Sequence, residues 1–208
     1  MSGNGTQGGE SGERASSVDV HVPSLLADLD SSDAEVQLEA VRTIQATVED
    51  APKRCVPTVP KLRGLLERPS TDLDEAIVGC LADLAAEAPN DVAPSAETVV
   101  QFARAETPHP GTTQALRCLA HVAEERPDVV AAHVRDVVAI LEATEGEPID
   151  PWGPRLLATV ASSRPEAVEP ATSILEDVLA ADPEADVREP AERALAAVTE
   201  GQPEAHNP

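Results

Sequence analysis

The stretch Ala115-Leu-Arg-Cys-Leu-Ala-His-Val-Ala-Glu-Glu-Arg-Pro127 decides the fold. Counting back from its proline, apolar residues stand at Val122, Leu119 and Ala115, offsets of five, eight and twelve. At 100° per residue these offsets lie within ~60° of one another, so they form one stripe of an amphipathic helix. The pattern recurs along the chain. Pro52, Pro89, Pro127, Pro165 and Pro203 are separated by 37, 38, 38 and 38 residues. Eight positions before them stand Ile44, Leu81, Leu119, Leu157 and Leu195; twelve before, Ala40, Ile77, Ala115, Gly153 and Ala191; five before, Thr47, Leu84, Val122, Val160 and Val198. A proline ring removes an amide donor and disfavours helical geometry in the residue before it, so each proline predicts the end of a helix. A period of this length is that of stacked helical pairs.

A second register follows each proline. Leu62, Val99, Val137 and Leu175 align, as do Leu65, Phe102, Ile140 and Val178, and then Leu66, Ala103, Leu141 and Leu179; Leu25, Leu26 and Leu29 serve the first unit. Turn residues separate the two helices of each unit: Asp30-Ser-Ser-Asp33, Pro69-Ser-Thr-Asp72, Pro108-His-Pro-Gly111, Gly146-Glu-Pro148 and Asp182-Pro183. Shortly after these turns an apolar residue recurs at Val36, Leu73, Ile149 and Val187, with Gly111 the exception. One pair cannot bury its stripe alone, so the units must stack. The expected organisation is a polar tail over residues 1–20, five units of about 22–55, 56–92, 93–130, 131–168 and 169–203, and a short tail at 204–208.

Composition narrows the class further. The chain has 208 residues, 15 basic and 38 acidic, a net charge of -23, which disfavours a partner held mainly through phosphates. Phe102 and Trp152 are the only aromatics apart from histidine, so Ala, Val, Leu and Ile must build the core, which suits close-packed helices. No run approaches the ~18 apolar residues of a membrane span, and the first twenty residues lack a basic start and an apolar core, so a cytoplasmic protein is expected. Cys55, Cys80 and Cys118 match no paired spacing and predict free thiols. Lys53 and Lys61 are the only lysines beside thirteen arginines. This balance resembles that of salt-in halophiles, haloarchaea above all, and alternatively of an ordinary acidic protein. Screening of so much self-repulsion near molar salt predicts a helical circular dichroism spectrum that survives there and loosens on dilution.

The last unit, Asp182-Pro-Glu-Ala-Asp-Val187-Arg188-Glu-Pro-Ala191-Glu-Arg-Ala194-Leu195, resembles a HEAT repeat, in which a turn aspartate precedes a Val-Arg pair at the opening of the second helix. Glu35-Val36-Gln37-Leu-Glu-Ala40-Val41 follows it loosely, and the three middle units lack the Val-Arg pair. The resemblance, over about residues 22–203, implies an all-α solenoid, a right-handed superhelix whose second helices line a concave surface that binds other macromolecules.

Ten residues before each proline stand Arg42, Gly79, Arg117, Arg155 and Arg193, about 160° from the core position at eight. Stacking would align these arginines in a row. A guanidinium can grip a carboxylate with two parallel hydrogen bonds, so the row could hold an acidic segment of a partner; alternatively it pairs with local acids such as Glu39, Glu189 and Glu192 or with those of neighbouring units. Pro154 fits the first turn of a helix, so Trp152 is expected to precede that helix, three positions from Arg155. Trp beside Arg is the composition of an interface hot spot, and an indole also covers a Gly/Pro break by packing on a loop.

Cys118-Leu-Ala-His121 has a metal-like spacing, but zinc needs four convergent ligands, and buried thiols are the simpler reading of Cys80 and Cys118. His21, His109, His133 and His206 form no constellation, and no nucleophile elbow, phosphate loop or His-Glu-x-x-His pair is present. The resulting expectation is a non-catalytic scaffold or adaptor, without cofactor, metal, nucleic acid or membrane, monomeric or weakly oligomeric. It would bind a protein partner through Arg42, Arg117, Trp152, Arg155 and Arg193. The alternative is a HEAT-like enzyme or nucleic-acid-binding protein of glycosylase or lyase type, for which the supply of basic and aromatic residues is poor.

Overall fold

The computed structural model describes residues 21–68, 73–106, 110–144 and 150–201. Among them every regular element is helical. In chain order these are α1 (Val22–Leu29), α2 (Ala34–Val48), α3 (Pro52–Cys55), α4 (Val59–Leu66), α5 (Asp74–Glu87), α6 (Pro89–Val92), α7 (Ala96–Glu106), α8 (Gly111–Glu125), α9 (Pro127–Ala131), α10 (Val134–Ala143), α11 (Trp152–Ala161), α12 (Pro165–Val168), α13 (Thr172–Ala180) and α14 (Ala185–Gly201). The sequence turns at 69–72, 107–109 and 145–149, with Ile149, His109, Pro203, His206 and both tails, lie outside the described residues. None of the described helices is long and apolar enough to cross a membrane.

Local chemistry explains where the helices begin. The Asp33 carboxylate accepts from the Glu35 amide at 2.9 Å and caps α2, whose first turn carries Glu35. Gln37 Nε2 donates to the Leu29 and Ser31 carbonyls at 3.1 and 2.8 Å, fastening the α1–α2 turn. In the last turn Asp182 takes a left-handed backbone with φ of 52°, and Arg188 donates to its carboxylate at 2.5 Å.

The recurrent prolines do more than end a helix. Ala51, Ala88, Arg126 and Arg164 share one conformation, with φ of -147°, -143°, -131° and -141° and ψ of 59°, 60°, 58° and 66°. Each following proline excludes helical geometry there and then opens a one-turn helix, its missing amide being one that a first turn leaves unpaired anyway. Three residues further on, Cys55, Val92, Val130 and Val168 are fully buried and anchor the joint in the core. In three joints a second proline, Pro57, Pro94 or Pro170, opens a short 3₁₀ turn leading into the next long helix. The proline is thus a hinge pin between two helices.

Packing follows the same period. α1 packs on α2, α4 on α5, α7 on α8, α10 on α11 and α13 on α14. The second helices also touch in succession, α2 with α5, α5 with α8, α8 with α11 and α11 with α14, and so do the first helices from α1 through α4, α7 and α10 to α13. The core stripe is the expected one: Ile44, Leu81, Leu119 and Leu157 are fully buried, as are Leu62, Val99, Val137 and Leu175. Leu195, Val178 and Leu179 of the last pair are only partly covered, because among the described residues that pair is packed from one side. Val36 also departs from its aligned positions: it is 38% exposed, whereas Leu73 and Val187 are buried.

Candidate functional site

The second helices carry their exposed side chains at the register of the arginine row, and successive helices bring these positions together. Arg117 on α8 reaches the Gly79 carbonyl on α5, its counterpart one unit earlier, at 3.4 Å. The neighbouring positions therefore do adjoin across the α5–α8 contact. The arginines, however, do not behave alike.

Arg117 is consumed by the fold. Its Nη2 donates to Asp83 Oδ1 at 2.5 Å, and the two side chains are 27% and 32% exposed. Arg155 is half exposed, with Nη2 3.7 Å from Glu124 Oε1 of the preceding unit. Arg42 and Arg193 are exposed and make no ion pair among the described residues. Where the row is neutralised, it is by acids of the preceding unit, and not by Glu39, Glu189 or Glu192.

Trp152 opens α11 instead of preceding it, which corrects the expectation from Pro154: the proline sits in the first turn, and Trp152 is already the first helical residue. The Asp150 carboxylate fixes this start by accepting from the Trp152 amide at 2.8 Å. The indole is partly buried against the core, and the Arg155 guanidinium lies over its ring at 5.0 Å from the centroid, within cation–π range. His121 of α8 also packs on the indole, ring centroids 5.2 Å apart and tilted by 55°. His121 Nδ1 is 3.7 Å from Glu124 Oε2, so one carboxylate faces both His121 and Arg155. The body of the indole thus packs inward and its face carries Arg155.

A second feature lies one unit earlier. A groove of about 440 Å³ is lined by Gln45 of α2, Glu75, Gly79 and Asp83 of α5, and Gln114 and Arg117 of α8. Glu75 is exposed and makes no ion pair among the described residues. Gln114 Oε1 and Arg117 Nε are buried with no hydrogen-bond partner among the described residues. Sequence reasoning noted Gly79 only as a gap in the row and His121 only in a metal-like spacing with Cys118, and missed Gln45, Glu75, Asp83, Gln114 and Glu124. The available signal was the offset of six before the proline, which places Asp83 and His121 on the same helical face as the arginines.

The thiols are set apart from this surface. Cys55, Cys80 and Cys118 are free and fully buried. Burial pushes the Cys118 thiol up to about 12 against the pull of Arg117, and burial, with the nearby Asp83 charge, raises Cys80 as well. Neither is a thiolate at neutral pH. Among the described residues no three His, Cys, Asp or Glu side chains converge as a metal site would require.

No family model and no curated protein matches this chain. Its fold is similar to that of an engineered protein whose crystal structure came from the Northeast Structural Genomics Consortium, with a TM-score of 0.73 and 24% identity over 85% of this chain and 78% of that one. A second engineered protein from the same consortium covers 86% of this chain and 98% of its own length, with a TM-score of 0.51 and 18% identity. These likenesses concern the fold alone.

Proposed function

We propose that the chain is a HEAT-like α-solenoid of five helix pairs that works as a non-catalytic protein-binding scaffold, its second helices forming the receiving face. The observation that supports this reading most is the Trp152–Arg155 pair, with exposed Arg193 on the adjoining helix α14 and exposed Arg42 further along on α2. A large ring, partly desolvated and capped by a guanidinium, is the kind of anchor that concentrates binding energy at an interface. An acidic or mixed-charge segment of a partner would meet Arg155, Arg42 and Arg193, while the indole supplies apolar area. The excess of acid elsewhere, 38 acidic against 15 basic residues, would repel partners of uniformly negative charge and so add selectivity. The acidity also suits a halophilic, cytoplasmic setting.

The test is affinity capture at molar KCl from a lysate of the source organism, with the wild-type chain and the Trp152→Ala/Arg155→Ala double variant side by side. Loss of a hot-spot pair should weaken capture of a specific partner by about thirtyfold or more. Equal recovery by both chains would refute the assignment of this face. Retardation of duplex DNA in a gel at the same salt would favour the nucleic-acid reading instead.

A further inference from the structure

Two of the described histidines stand at one junction, that between the third pair, α7 and α8, and the fourth, α10 and α11. On the second-helix side, Glu124 of α8 has one carboxylate oxygen 3.7 Å from Nη2 of Arg155, across the junction on α11. Its other oxygen is 3.7 Å from Nδ1 of His121, on its own helix. On the first-helix side, one oxygen of Asp136 of α10 accepts from Nη1 of Arg104, on α7, at 2.8 Å. The other oxygen lies 3.6 Å from Nδ1 of His133, the N-cap residue of α10. Both carboxylates are divided in the same way: one oxygen serves an arginine of the neighbouring pair, the other an imidazole three residues earlier in the chain. His21 instead meets the Ser24 hydroxyl at 3.0 Å, at the start of α1.

Histidine is the side chain whose charge changes between pH 5 and 8. The two imidazoles are 17% and 21% exposed, so a proton from solvent can reach each of them. Separations of 3.6 and 3.7 Å are too long for a hydrogen bond, and an imidazolium would contract them toward the ~2.8 Å of a charge-assisted one. The i,i+3 spacing allows this within one turn, without any movement of the junction. A carboxylate that follows its histidine cannot hold its arginine as before, and the added positive charge repels the guanidinium. The helices packed on α8 and α10 bring further charges: Asp83 and Glu87 on α5, Asp91 on α6, Glu97 on α7, Asp128 on α9, Glu169 in the turn after α12, and Glu176 and Asp177 on α13. Arg117 and Glu125 stand on α8 itself and Arg135 on α10. Carboxylates and guanidinium groups ordinarily hold one charge through this range, which leaves the histidines as the groups that change.

We infer that protonation of His121 and His133 transfers Glu124 and Asp136 from the arginines across the junction to the histidines beside them, so that the joint between the third and fourth pairs responds to pH. With neutral imidazoles, the two carboxylates tie the pairs together on both faces of the stack. With charged ones, each carboxylate belongs to its own helix, and the junction rests on the packing of α8 against α11. The Arg155 guanidinium is then left to the Trp152 indole alone. This inference goes beyond the protein-binding reading and stands without it.

The experiment is carbon-detected NMR of the full isotope-labelled chain at constant KCl, following the guanidinium Cζ and Nε signals of Arg155 and Arg104 from about pH 8 to about pH 5.5. Both should shift as the histidines titrate. His121→Gln should cancel the Arg155 shift and spare that of Arg104, and His133→Gln should do the reverse. In acid, the wild-type Arg155 signal should reach the position it holds in Glu124→Gln at the alkaline end, and Arg104 the position it holds in Asp136→Asn. A charged ring acting on the arginines at a distance would not produce that coincidence. Circular dichroism checks that each variant keeps its helices, and each side of the junction has its own pair of variants. Guanidinium signals that ignore pH, shifts that survive the histidine substitutions, or acid positions unlike those of the carboxylate variants would overturn the switch.

Discussion

Two equivalent junctions in the second-helix face carry different chemistry. Where α8 meets α5, the residue six before the proline, the residue thirteen before and the residue ten before are Asp83, Gln114 and Arg117; where α11 meets α8 they are His121, Trp152 and Arg155. The backbone places both triplets alike. In the first, a carboxylate takes the arginine at 2.5 Å and the result is a polar, closed arrangement beside a groove. In the second, an aromatic pair takes its place, and the guanidinium rests on the indole, half exposed. A repeat position thus acquires its role from the unit before it, because its partners come from across the junction.

Substitution in α8, the helix shared by both junctions, should disturb them together and most strongly. Leu119 is fully buried between them, and Leu119→Ala should lower stability by about 2–5 kcal/mol in urea unfolding, through lost burial and the cavity left behind. Smaller effects should separate the two. Gly153→Ala, in the first turn of α11 where helix propensity matters little, must displace Leu141 and should lose about 1–2 kcal/mol. Gly79→Ala, on α5, should instead gain up to about 1 kcal/mol, since only the Gln45 amide has to yield. Equal signs for the two glycines would erase the contrast between a packed junction and an open one.

Arg155→Ala should cost about 0.5–1 kcal/mol, as an exposed cation–π pair does, and should shift Trp152 emission, whereas Arg117→Ala should leave that emission unchanged. The smallest effect belongs to the joint after α8, where Arg126 donates to both Asp128 oxygens at 3.0 Å. This hydrogen bond holds the Asp128 carboxyl below its usual range. Its contribution is present above the ordinary carboxylate pKa of ~3.9 and fades as pH falls through the lower folded value. Asp128→Asn should therefore lower the melting temperature slightly at neutral pH and leave it unaltered at acid pH, which flattens the acid limb of the profile.

The proline period and the apolar offsets were enough to specify the helices, their pairing in sequence and most of the core, because those features depend on local backbone preference and on a single periodic face. The conformation of the joints was partly legible: the proline at each joint announces a break, but the one-turn helix behind it depends on Cys55, Val92, Val130 and Val168 finding the core. The arginine row was visible as a pattern, yet its division into a paired Arg117, a stacked Arg155 and exposed Arg42 and Arg193 was not. Those fates depend on Asp83, His121 and Glu124, more than thirty residues away in sequence, on the preceding helix. Sequence alone determined which faces are buried, since burial follows a repeat that each helix carries within itself. Tertiary structure decided what the exposed face can hold, since charge pairing, ring stacking and the groove over Gly79 exist only where two helices meet.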